Sequence, residues 1–96
     1  MVKMQSPVTV GTTATRLVHS DNNRTALSIF NNGSTLNIYI GTDNGVTTSN
    51  GFRINPQTGI TFNKGLGDRP DLELWAITTS STVDVRIFEA YAEGVF

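Results

Sequence analysis

The sequence predicts an all-β domain, a small β-sandwich or jelly-roll-like barrel of about eight short antiparallel strands. Three observations predict it. Apolar and polar side chains alternate with period two in residues 36–40, 60–62 and 83–88. Turn residues recur about every 8 to 12 positions, the rhythm of sandwiches and small barrels. No window of a dozen residues carries apolar side chains at helical spacing.

Residues 1–10 read as an N-terminal arm, with Pro7 ahead of the short run Val8-Thr9-Val10, and residues 11–96 as a single β-sandwich domain. Gly11-Thr12-Thr13 breaks the chain before an extended, β-branched pattern over residues 14–19. Ser20-Asp21-Asn22-Asn23 is a turn cluster. The next strand, from Arg24 to Asn31, sets Leu27 and Ile29 on one face and Ala26, Ser28 and Phe30 on the other. Asn31-Asn32-Gly33-Ser34 turns the chain, and the side chains Leu36, Ile38 and Ile40 then share a face.

Asn44-Gly45 and Asn50-Gly51 bracket a loop, or a very short strand at Val46-Thr47. Phe52 and Ile54 form the next inward pair. Pro56 suits the first corner of a turn and Gly59 the left-handed position, which predicts a hairpin returning through Ile60 and Phe62. Residues 64–70, with two glycines and a proline, read as an exposed loop. The last two strands, residues 72–77 and 82–88, are expected to pair as a second hairpin across Thr78-Thr79-Ser80-Ser81. The expected core is Leu27, Ile29, Leu36, Ile38, Ile40, Phe52, Ile54, Phe62, Leu74, Val83, Val85 and Ile87.

With 96 residues there is room for one modest core. Lys and Arg total 7 against 8 Asp and Glu, so no field of one sign is available to hold a polyanion, and nucleic acid is disfavoured as a partner. The absence of cysteine removes both disulfides and thiolate nucleophiles. A single histidine argues against the usual zinc sites. The first ten residues hold one Lys and no long apolar run, which predicts neither a signal peptide nor a membrane span. Asn23-Arg24-Thr25 and Asn32-Gly33-Ser34 match the glycosylation acceptor pattern, which a chain rich in Asn, Ser and Thr produces by chance.

No constellation of reactive residues forms a site. His19, Ser20 and Asp21 are the residue types of a nucleophilic triad, but neighbours on a strand point to opposite faces. Asp71 and Glu73 could share a strand face as an acid–base pair, though a solvated face is the simpler reading. Asp43-Asn44-Gly45 lacks the remaining ligands of a calcium loop, and Gly65-x-Gly67 lacks the strand-to-helix context of a dinucleotide fingerprint. The expectation is a protein that is not an enzyme and has no catalytic, metal or cofactor site. Exposed aromatics remain, and the candidate interface is Val8, Val10, Phe30, Tyr39, Trp75, Phe88, Tyr91, Val95 and Phe96.

The segments Arg24-Thr25-Ala26-Leu27-Ser28-Ile29-Phe30-Asn31-Asn32, Ile38-Tyr39-Ile40-Gly41, Asn50-Gly51-Phe52-Arg53-Ile54, Leu74-Trp75-Ala76-Ile77 and Val83-Asp84-Val85-Arg86-Ile87-Phe88-Glu89 carry a resemblance. In this order they resemble small bacteriophage virion structural proteins, in which an "R..L.I.N" strand precedes "IYIG", "NG..L.P", "L.AI" and "V.V.E" segments. The chain departs from that pattern at Asn55-Pro56-Gln57-Thr58-Gly59, where a shorter turn is common, and in its glycine-rich loop at residues 64–70. The resemblance implies a capsid decoration or accessory protein, made in the host cytoplasm and resident in the virion. It also implies a homo-oligomer, with a homotrimer favoured, bound to the major capsid protein. In that setting the arm could add as a strand to a neighbour's sheet edge. The alternative is a receptor- or glycan-binding module of a phage tail or fibre that presents Tyr39 or Trp75 to a sugar.

Overall fold

The computed structural model describes residues 2–92. Strands form where the period-two runs lie: β1 (Val2–Met4), β2 (Val8–Val10), β3 (Thr15–Val18), β4 (Arg24–Asn31), β5 (Ile38–Gly41), β6 (Phe52–Ile54), β7 (Gly59–Asn63), β8 (Leu74–Thr78) and β9 (Val83–Tyr91). Within residues 64–70 the only regular element is one 3-10 turn, Lys64–Leu66, which Asn63 caps by accepting from the Gly65 N–H.

Pairing is nested. β5 pairs with β6, β4 with β7, β3 with β8 and β2 with β9, all antiparallel. The pairs β4·β9 and β5·β8 then join these into two sheets. The first sheet runs β1-β9-β4-β7, with β2 also on β9, and the second runs β3-β8-β5-β6. Eight strands wound in this nested order make a double-sheet jelly roll. Both sheets keep their edges, so the molecule is an open sandwich and not a closed barrel.

Both expected hairpins are replaced by crossings between sheets. β6 lies on β5 while β7 lies on β4, so residues 55–59 carry the chain from the second sheet to the first. Likewise β8 and β9 face each other across the core and do not lie side by side. The alternation of side chains is the same in either arrangement, because it records which face is buried and not which strand is adjacent. The left-handed residue of the 55–59 turn is Gln57 (φ 60°) and not Gly59. Gln57 offsets that strain with two bonds from its amide to the carbonyls of Asn32 and Gly33, at 3.1 and 2.9 Å. Gly59 is needed instead for close approach, since a Cβ there would stand 2.7 Å from the Ile29 carbonyl oxygen.

Residues 1–10 were expected to stand apart as an arm, but the described part lies along the protein's own first sheet. Met4 pairs with Phe88 and Val8 with Val85, and the Gln5 N–H donates to the Ile87 carbonyl at 3.0 Å. Main-chain pairing of this kind needs no distinctive side chain, which is why composition did not reveal it.

The core is the space between the sheets. Nine of the twelve expected residues are buried there, among them Leu27, Ile38 and Val85; Leu36 and Phe62 pack partly buried against it. Phe52 is the exception at 60% exposed. It faces inward opposite Ile40, but from the edge strand β6, where the two sheets part. Core positions the sequence reading missed are Val10, Leu17, Val18 and Ala76. Val10, a candidate interface residue by its sequence, is fully buried. Val46 is buried outside this cluster, in a loop and not a strand, with its side chain filling the space over Gly41.

Candidate functional site

The outward face of the first sheet carries the largest share of exposed apolar side chains. Across β1, β9, β4 and β7 the register sets Met4, Phe88, Ser28 and Thr61 in one row. Phe30 sits diagonally from Phe88, opposite Arg86. Met4, Phe88 and Phe30 are 63%, 45% and 37% exposed, and Met4, Ser28, Phe30 and Phe88 surround an apolar notch of about 250 Å³. The charged side chains at outward positions of these strands are Asp84 and Arg86, and they bond to each other at 2.8 Å. Asn32 also donates to Asp84, and these donors hold the Asp84 carboxyl below its ordinary range, the Arg86 bond first.

The outward face of the second sheet holds Tyr39 and Trp75, both half-buried. Trp75 is engaged within the chain. Its indole N–H donates to Glu73 at 2.7 Å, and the Arg16 guanidinium stands 5.6 Å from the ring centroid, within cation–π range. Tyr39 has Gly51 against its Cβ, so the loop between β5 and β6 folds over this face.

Between the diverging edges of β6 and β7 lies an apolar cleft of about 380 Å³, floored by Ile40 and Leu74 and flanked by Phe52, Ile60 and Phe62. Asp68 closes part of the β7 edge, because its carboxylate accepts from the Asn63 N–H and its own N–H donates to the Asn63 carbonyl. Arg69 at the rim is held by both oxygens of Asp71.

A polar pocket of about 200 Å³ lies at the end of the sandwich where β4 begins, lined in part by His19, Asp21, Arg24, Glu89 and Tyr91. Sequence reading assigned no role to Arg24 or Glu89, yet they are 2% and 3% exposed. Arg24 donates to the carbonyls of Pro70 (2.7 Å), His19 and Leu72 (2.9 Å each), and to Glu89 Oε2 (3.3 Å). Tyr91 donates to the same Glu89 oxygen, while Glu89 Oε1 accepts from no described residue. Burial first, and the neighbouring Glu89 second, push the Tyr91 hydroxyl above its ordinary pKa. Only Glu89 could have been found from the pattern, since it keeps the inward phase of Val83, Val85 and Ile87 along β9; Arg24 is out of phase with Leu27, Ile29 and Asn31 and turns inward at the register shift between Arg24 and Ala26.

The triad types do not converge, since Asp21 caps the turn by accepting from the Asn23 N–H and His19 is exposed. Asp71 and Glu73 are drawn apart, to Arg69 and Trp75. Asp43 accepts from the Gly45 N–H as an ordinary turn residue. Among the described residues no group of three or more His, Cys, Asp or Glu could hold a metal ion, and no helix is long and apolar enough to cross a membrane. Of the candidate interface residues, Phe30 and Phe88 come together on one exposed face. Tyr39 and Trp75 lie on the other, Val8 packs against the core, Tyr91 joins the polar pocket, and Val95 and Phe96 fall outside the described residues. No family model matches the chain, and no curated protein or solved structure does either.

Proposed function

We propose that this protein is a structural component of a bacteriophage particle that self-associates and docks on the capsid surface as a decoration or accessory protein. The observation that carries the reading is the outward face of the first sheet. It combines three exposed apolar side chains, a notch between them and a mutually neutralised ion pair, a composition suited to a protein partner. The sequence resemblance supplies the particle, and the jelly roll is in keeping with it by fold-level analogy, which is shared with lectins. Against the glycan-binding alternative, Trp75 already spends its N–H and one ring contact within the chain. The resemblance implies a trimer, whereas an electroneutral face that carries both a projecting side chain and a notch suits two-fold packing, the commonest closed symmetry.

The test is co-sedimentation of the purified protein with particles assembled from a phage major capsid protein. Saturable binding that is lost on Phe30→Lys supports the reading. Protein that stays in the supernatant and binds a glycan array refutes it in favour of the alternative.

A further inference from the structure

The occupant of the apolar face follows from its shape and charge. We infer that the outward face of the first sheet packs against the same face of a second copy of this chain, related by a two-fold axis near Ser28, with Phe88 of each copy seated in the notch of the other. This deepens, and rests on, the self-association proposed above.

The notch lies between Met4, Phe30 and Phe88 over the small side chain of Ser28, whose hydroxyl bonds to Thr61 at 2.9 Å. At about 250 Å³ it exceeds the roughly 150 Å³ that suffices for a benzene ring. Phe88 stands directly across from Ser28, so one patch supplies both knob and hole. A surface that carries both can satisfy itself reciprocally, which is the condition of an isologous contact.

Charge points the same way. Asp84 and Arg86 neutralise each other, so two copies of the face do not repel. A partner with a strongly charged surface would find nothing here to pair with.

Area sets the strength. Four strand positions and the nine-residue β9 give a face of roughly 20 by 30 Å. Two such faces bury about 1,200 Å² together, above most lattice contacts and at the low end of specific interfaces, so micromolar affinity is expected.

The chain has no cysteine, so Ser28→Cys installs a single thiol beside the proposed axis. Sheets packed face to face stand about 10 Å apart, which a short bis-maleimide spans. The expected result is a dimer mass by light scattering and a covalent dimer on cross-linking of Ser28→Cys. Phe88→Lys should weaken dimerisation at least about thirtyfold, the effect of losing a central anchor, with the circular dichroism spectrum unchanged. Met4→Lys, on an edge strand and 63% exposed, provides a second variant with little bearing on folding. A trimer whose mass neither variant alters overturns the two-fold contact and leaves the assembly reading standing. A monomer at high micromolar concentration overturns both, and a dimer that Ser28→Cys does not cross-link overturns the geometry proposed here.

Discussion

Replacing Arg24 by Met removes the cation that holds one end of the sandwich together. Its guanidinium ties the β3–β4 connection, through the His19 carbonyl, to the loop before β8, through Pro70 and Leu72, and neutralises Glu89 on β9. Met fills much of the volume but donates nothing. Stripping one partner from a buried ion pair costs about 3–5 kcal/mol. Carbonyls left unpaired add to that, discounted because the neighbouring pocket admits water to some of them, for a total of about 4–6 kcal/mol. A domain of this size has about 5–15 kcal/mol to lose, so the variant should sit near the edge of folding. Urea denaturation followed by the fluorescence of Trp75 measures the loss. The double variant Arg24→Met/Glu89→Leu should recover at least about 1 kcal/mol relative to the sum of the single changes, because it no longer buries an unpaired carboxylate. A loss below about 1 kcal/mol for Arg24→Met, or strict additivity in the cycle, would refute the buried-pair reasoning.

Three further outcomes are expected. Gly59→Ala drives a methyl group against the Ile29 carbonyl and should cost about 1–3 kcal/mol by the same urea assay; an unchanged midpoint would mean that the β4–β7 contact is looser than described. Ser81 is exposed and held at φ 54°, so Ser81→Gly should gain about 0.5–1 kcal/mol, read as a higher melting temperature, and a loss would show that the left-handed turn is not strained. Tyr91 has its folded-state pKa raised by burial and then by Glu89, so the stability it contributes is complete below the ordinary value near 10 and is lost as pH rises through the higher folded value. Tyr91→Phe should therefore flatten the decline of the urea midpoint above about pH 10, and an identical decline in both proteins would contradict this.

The positions of the strands were legible in the sequence, because alternation along a strand is a local record of which side chains meet the core. The strand from Arg24 to Asn31 and the burial of Ile29, Ile38 and Ile87 followed from period two alone. Exposed aromatics on one face were also within reach, since Phe30 and Phe88 sit at the even-numbered positions of strands whose odd-numbered positions carry the buried apolar side chains. Which strand lies beside which was not legible. Residues 52–54 and 60–62, like β8 and β9, are close in sequence and alternate correctly, yet each pair is split between sheets. The local hairpin saves only loop-closure entropy, which grows slowly with loop length, whereas nested pairing lets both sheets bury an inward face against the other. The same holds for the polar anchors. Asn31 reads as a turn residue, but it is fully buried and spends its amide on the carbonyls of Leu36 and Ile54 and its oxygen on the Gly33 N–H. Arg24 and Glu89 lie 65 positions apart and meet only because β4 and β9 pair. A side chain's face is decided by its neighbours in sequence, and its partner by the fold, because hydrogen bonds and ion pairs reach only across the few ångströms that tertiary structure brings together.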